Sequence, residues 1–177
     1  MATRTTEGTD RGTEAKRLSG DYQEVRSSVV VAAPVEVVWD VVNDPTVFTE
    51  AIDWVFEVWV EDDDELHEGS VYLERAKPGL RAGTYRWEVT AFDPPRRSVH
   101  YHRSGELEAE LHVRCEPLDD ESTRYTQVLR FRALPAFRPL GYVLERTVMK
   151  RNMQRDFERM ILPNFKHIAE RRAAEAA

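Results

Sequence analysis

From Tyr22 to about Leu134 the apolar residues of this chain recur at every second position, and from Val143 to Ala169 they recur at every third or fourth. Period two describes strands with one wet and one dry face, and a period near 3.6 describes an amphipathic helix. A series of one-faced strands must have its dry side covered. The switch of period therefore predicts an antiparallel sheet whose apolar face is roofed by one long C-terminal helix.

The sidedness can be read strand by strand. In ELEAELHVRCEPL, Leu107, Ala109, Leu111, Val113 and Cys115 share one face, opposed by Glu106, Glu108, Glu110, His112 and Arg114. RYTQVLRFRAL places Tyr125, Gln127, Leu129 and Phe131 inward and Arg130 and Arg132 outward. Outward Glu and Arg on neighbouring strands are expected to pair across the ladder. DWVFEVWVE puts Trp54, Phe56, Val58 and Val60 on one side, and SVYLERA follows an acidic turn and Gly69. TYRWEVTAFDPPRRSVHYHRSG reads as a hairpin with its turn at Pro94 and Pro95. Tyr85, Trp87 and Val89 go out on one face, and Val99, Tyr101 and Arg103 return on it. A bulge would invert these faces, and Ala91 to Asp93 is the place where one is expected.

Near the start, YQEVRSSVVVAA alternates Val25, Ser27, Val29 and Val31 on one face before Pro34 ends the ladder and opens a helix. Val38, Val41 and Val42 fall on one side of that helix with Trp39 at its edge, while Glu36 and Asp40 point away. Asp44 before Pro45 ends it and caps a second short helix through Phe48 to Ile52. At the other end, LPAFRPL is a connector. The stripe Leu144, Val148, Met149, Met153, Phe157, Met160, Ile161, Phe165 and Ile168 then runs about 40 Å. Pro163 is expected to interrupt and kink it. Glu145, Asn152 and Asp156 fall within the stripe, which leaves two readings: they line a cavity mouth, or they mark where the helix overhangs into solvent.

The remaining bounds exclude whole classes of function. With 177 residues and 41% hydrophobic content the chain has material for one domain, expected over residues 21–172. Residues 1–20, nearly devoid of apolar side chains, read as a disordered tail. A net charge of -7 argues against a nucleic-acid partner. The absence of an 18-residue apolar run argues against an integral membrane protein, and without a signal-peptide core the expected location is the cytoplasm. Only Lys16, Lys77, Lys150 and Lys166 are lysines among 25 basic residues, which fits solubility in high salt or a GC-rich genome. Cys115 reads as a small core residue. No metal or cofactor is expected: His100 and His102 share a strand face opposite Tyr101 that reads as solvated, and EDDDELHE lacks the glycine and terminal glutamate of a calcium loop.

VVVAAPVEVVWDVVNDP, the VTAFDPPRRSVHYH hairpin, the late STRYTQVLRFRA strand and the terminal helix together resemble the helix-grip superfamily. This group comprises the polyketide cyclase/dehydrase and START-related lipid-transfer (SRPBCC) proteins. The resemblance covers about residues 22–172 and implies an α+β fold, a curved seven-stranded antiparallel sheet gripping the C-terminal helix around an apolar pocket. It implies a small hydrophobic partner, a lipid, quinone or polyketide-like aromatic. Candidate lining residues are Trp54, Phe56, Tyr85, Trp87, Tyr101, Arg103, Leu111, Tyr125, Gln127, Leu129, Val148, Asn152 and Asp156. Among them Tyr85, Tyr101, Arg103, Tyr125 and Gln127 would orient a carbonyl or phenol, or alternatively send their polar ends to the rim.

Three functions remain open. The first is a carrier or sensor of an apolar molecule. The second is a cyclase, aromatase or dehydrase in which Tyr101 and Arg103 move protons together with Tyr85 or Asp156. The third is an accessory subunit whose cavity is filled by its own side chains. No nucleophile with a base, phosphate-cradling loop or metal motif is present, which favours binding over catalysis.

Overall fold

The computed structural model describes residue 18 and residues 20–61, 65–78 and 82–176. The elements follow the predicted order: β1 (Gln23–Val31), α1 (Val35–Val42), α2 (Pro45–Ala51), then β2 (Val55–Val60), β3 (Val71–Ala76), β4 (Gly83–Asp93), β5 (Arg97–Arg103), β6 (Leu107–Pro117) and β7 (Thr123–Ala133). They form one seven-stranded antiparallel sheet, in which β1 pairs with β7 and the order continues through β6, β5, β4 and β3 to β2. The chain then enters an unbroken helical run: α3 (Arg138–Leu144), a π-turn (Glu145–Met149), α4 (Lys150–Asp156), a second π-turn (Phe157–Ile161) and α5 (Leu162–Ala176). At 1.5 Å per residue this rod is about 60 Å long. It is the helix-grip arrangement.

Local chemistry accounts for the margins. Asp44 accepts a hydrogen bond from the Thr46 backbone N–H at 2.9 Å and so caps α2, with Pro45 in the first turn where its missing N–H costs nothing. Val38, Trp39, Val41 and Val42 are the buried face of α1. Pro163 does not interrupt the rod. The π-turn Phe157–Ile161 stands directly before it and the helix continues to Ala176. A wider turn is a known way for a helix to absorb an irregularity without ending.

The core lies between the concave face and the helices, and includes Val25, Val31, Val89, Ala109, Val113, Cys115, Tyr125, Phe131 and the α5 residues Leu162, Phe165, Ile168 and Ala169. Burial pushes the Cys115 thiol up to about 12, so it is an inert packing residue. On the outer face the expected ladder pairs are present: Arg132 with Glu108 at 2.7 Å, Arg130 with Glu24 at 3.0 Å and Arg124 with Glu116 at 3.6 Å.

That outer face is not uniformly solvated. Glu108, Glu110 and His112 are 4%, 1% and 3% exposed, and the Leu18 N–H donates to Glu110 Oε1 at 3.0 Å. The expectation of a disordered tail lies almost wholly outside the described residues. Leu18, which is described, is buried.

Candidate functional site

Two bulges decide which side chains the concave face presents. Near the hairpin turn Asp93 pairs with Arg97, Phe92 with Ser98 and Ala91 with Val99; beyond the irregularity Val89 pairs with His100 and Trp87 with His102. One extra residue in β4 thus moves the whole of the returning strand by one position, and a one-position shift exchanges its faces. His100 and His102 therefore point inward, at 1% and 2% exposure. Tyr101 and Arg103, expected inward, point outward: the Tyr101 hydroxyl donates to Glu108 Oε1 at 2.7 Å, and Arg103 is exposed. In β2 a second bulge between Val55 and Glu57 turns Phe56 out to 56% exposure, leaving Val55, Val58 and Val60 on the core side.

Of the other expected lining residues, Tyr85, Trp87, Leu111, Tyr125, Gln127 and Leu129 lie on the concave face. Trp54 packs at the margin of the core, with its indole N–H buried and unpartnered among the described residues. Val148 is 47% exposed, because the rod leaves the sheet near its N-terminal end. Asn152 and Asp156 are half-buried on α4 and do not line the internal cavity, and Asp156 pairs with Arg155 at 3.3 Å. Glu145 is neither at a mouth nor in solvent. It is fully buried, accepting from the Ala133 N–H at 2.7 Å and from Arg138 Nη1 at 2.6 Å, and it clamps the end of β7 to the start of the rod. Gly141 allows this approach, since a Cβ there would collide with the Ala133 carbonyl oxygen. Leu134, at the joint itself, adopts φ 45°, a left-handed conformation that costs a branched residue about 1 kcal/mol or more.

Inside, a cavity of about 40 Å³ is lined by Val42, Phe48, Ile52, Tyr72, Glu74, His100, Leu111, Val113, Gln127 and Phe165. It has room for a water-sized group. Aromatic rings frame it: Tyr72 stacks on Trp87 at 6.4 Å between centroids and meets His100 edge-on at 5.6 Å, while Phe165 sits edge-on to both Phe48 and Tyr125. Beside it the wall is only partly covered. Tyr85, Trp87, Leu107, Leu111, Met149 and Met153 pack against the core yet remain half-buried.

The polar groups on this wall are unusual for a core. Burial pushes the Glu74 carboxyl up to about 7, against the Trp87 indole N–H, which donates to Oε2 at 3.0 Å and favours the charged form. Burial pushes His100 down to about 4, with His112 adding to the effect, so its imidazole is neutral. His100 Nε2 lies 2.9 Å from Ser98 Oγ, which donates to Asn43 Oδ1 at 2.8 Å. With its hydroxyl proton committed to Asn43, Ser98 accepts from His100 Nε2–H, which leaves Nδ1 as a bare acceptor. His102 Nδ1 donates to the Arg86 carbonyl at 2.9 Å, leaving its Nε2 unprotonated. Among the described residues, His100 Nδ1, His102 Nε2 and Gln127 Oε1 are buried without a hydrogen-bond partner. Three acceptors and the Tyr125 hydroxyl, all unpartnered among the described residues, lie on the same concave wall as one carboxyl of raised affinity for protons.

Sequence reasoning missed Tyr72, Glu74, His100 and His102, the two histidines because alternation alone puts them on a solvated face. The alternation of SVYLERA alone does not say whether Val71 and Leu73 or Tyr72 and Glu74 face inward, and the sheet register decides. Among the described residues no cluster of His, Cys, Asp or Glu is placed to hold a metal ion, and no helix is long and apolar enough to cross a membrane.

The comparisons agree with this architecture. An aromatase/cyclase, ZhuI from Streptomyces sp. R1128, superposes with a TM-score of 0.69 at 20% identity, covering 86% of this chain and 96% of its own. A START superfamily protein from Mycobacterium smegmatis gives 0.63 at 16% identity, over 89% and 100% of the two chains. A point mutant of norcoclaurine synthase from Thalictrum flavum, in complex with a transition-state analogue, gives 0.60 at 13% identity, over 88% and 99%. At these identities the likeness is one of fold. No curated protein matches in sequence. The family described as polyketide cyclase/dehydrase and lipid transport matches residues 22–166, nearly the whole of the sheet and rod described above, and the chain belongs to it.

Proposed function

We propose that the protein binds a small molecule with an apolar, aromatic or acyl body and one polar oxygen-bearing handle, held between the concave face and the C-terminal rod. The carrying observation is the set of buried orphans. A core built only to be filled would pair such groups or replace them by apolar ones, because each unsatisfied buried acceptor costs about 1–3 kcal/mol. Here His100 Nδ1, His102 Nε2 and Gln127 Oε1 face inward without partners among the described residues. A hydroxyl or phenol would donate its one proton to one of them, and a ligand with further O–H or N–H groups would satisfy the others. The half-buried Tyr85, Trp87, Leu107, Met149 and Met153 would embrace its body.

The cavity volume of about 40 Å³ is far below the roughly 300–1,000 Å³ of ordinary ligand sites. Taken alone, that volume favours the accessory-subunit reading, so ligand entry requires the rod to lift from the half-covered wall. Native mass spectrometry decides between them. A stoichiometric small molecule should accompany the protein, and Gln127→Leu with His100→Phe should lose it while raising the melting temperature. Protein without ligand, whose stability falls on removal of these groups, would sink the proposal.

One observation favours a catalytic variant of this reading. Near pH 7 Glu74 is present in both protonation states, which suits a group that gives a proton to a carbonyl oxygen or takes one from carbon or oxygen. Trp87 would fix its orientation. A bound ligand that turns over in the wild type, and is bound unchanged by Glu74→Gln, would establish it.

A further inference from the structure

The start of the rod has two features that neither the core nor the cavity uses. The first is an array of large apolar side chains in solvent: Phe137 is 61% exposed, Leu140 52%, Val143 55% and Val148 47%, with Tyr142 and Leu144 at 39% and 38%. Exposed apolar residues are ordinarily scattered singly. Here they crowd the loop tip and first turns, and in α3 only Gly141 is buried.

The second feature is charge. The protein carries -7 overall, yet residues 138–159 contain Arg138, Arg146, Lys150, Arg151, Arg155 and Arg159 against Glu145, Asp156 and Glu158, of which Glu145 is buried and paired with Arg138 and Asp156 is paired with Arg155. Arg146, Lys150, Arg151, Arg155 and Arg159, with Gln154 and the single acid Glu158, line one shallow outer groove of the rod. The Arg146 guanidinium lies 4.2 Å above the centre of the Tyr142 ring.

We infer that this tip docks the protein reversibly on an anionic lipid surface, with Phe137, Leu140, Val143 and Leu144 at the acyl boundary and Arg146, Lys150, Arg151 and Arg155 at the phosphates. The order along the axis carries the argument. At 1.5 Å per residue the cations stand about 5–20 Å beyond the apolar turn, and interfacial segments bury their apolar side chains by about 5–10 Å, so apolar and basic layers follow the layers of a leaflet. A protein groove would take one stripe of the helix. At about 100° per residue, Tyr142, Val143, Leu140 and Leu144 spread over roughly 200° of its circumference. A second copy docked about a two-fold axis would set the same cations against one another.

This surface does not depend on the cavity reading. The test is flotation of the full chain with phosphatidylcholine vesicles, with and without phosphatidylglycerol. The protein should rise with the anionic vesicles only, and high salt should release it. Each of Lys150→Glu and Arg151→Glu should weaken partition about fivefold or more. Leu140→Ser with Val143→Ser should weaken it more than about tenfold, and Glu74→Gln should leave it unchanged. All four substituted surface residues are exposed, and unchanged circular dichroism and melting would show that the fold is intact. Absence from anionic vesicles, equal partition by wild type and variants, or a dimer or protein complex abolished by these substitutions without vesicle binding would each overturn the inference.

Discussion

The two ends of the C-terminal rod are held by different physics. In α5, Leu162, Phe165, Ile168 and Ala169 are all nearly inaccessible, and Phe165 meets the rings of Phe48 and Tyr125. In α4 no residue is fully buried, and the end that begins at Arg138 is fixed by the Glu145 clamp, the Gly141 contact and half-buried Met149 and Met153. One end is secured by area and the other by a small polar joint. Area-held segments open only with the whole protein, whereas a segment held at one joint can open locally. The weakly held end is also the one beside the half-covered concave wall, where a guest would have to enter.

The largest expected effect tests the area-held end. Phe165→Ala should destabilise by about 3–5 kcal/mol in chemical denaturation, while Met153→Ala should cost less than about 2 kcal/mol. Equal losses at the two sites would break the comparison.

The next effect comes from the wall under Phe165 and is read in pH. The Glu74 carboxyl titrates at about 7 when folded and near 4.5 in the unfolded chain, so its contribution is complete below pH 4.5 and is lost as pH rises to 7. That loss is roughly 3 kcal/mol. His100, at about 4 when folded against 6.5 unfolded, acts in the opposite sense: its contribution is complete above pH 6.5 and is lost as pH falls to 4. The two slopes offset each other in the wild type. Glu74→Gln should therefore uncover a stability that climbs from pH 4 to 6.5 in melting experiments, and a flat profile in that variant would contradict the burial of His100.

Substitutions at the polar joint should act locally. Glu145→Ala removes the partner of the Ala133 N–H and of Arg138, at a cost of about 2–3 kcal/mol. Hydrogen exchange should accelerate over 138–156 while 162–176 keeps its protection. Gly141→Ala, which drives a methyl into the Ala133 carbonyl oxygen, should do the same at about 1–3 kcal/mol. Uniform loss of protection along the rod would show that its two ends are one cooperative unit. Smallest of all, Val148→Ser should stay within about 0.5 kcal/mol, since the side chain is largely in water.

Much of the architecture was legible because alternation and helical spacing are local and repeated. The faces of β1, β6 and β7, the buried stripe of α1, the Asp44 cap and the element order were all readable in advance. The site was less so. Tyr101 and Arg103 were misplaced because the bulge in β4 shifts the pairing of their strand by one residue, and Phe56 because it is itself the bulged residue of β2, turned out while Val58 and Val60 keep the core side. Val148 was misplaced because helical period tells which stripe is apolar and not where the sheet beneath it ends.

The order of residues by itself determined that this chain makes a one-faced antiparallel sheet with a long C-terminal cover, since periodicity is written into neighbouring positions. Only the tertiary structure decided that two histidines and a glutamate, rather than a tyrosine and an arginine, face the interior. That choice depends on the pairing register between strands, a relation among residues distant in sequence that no local pattern encodes.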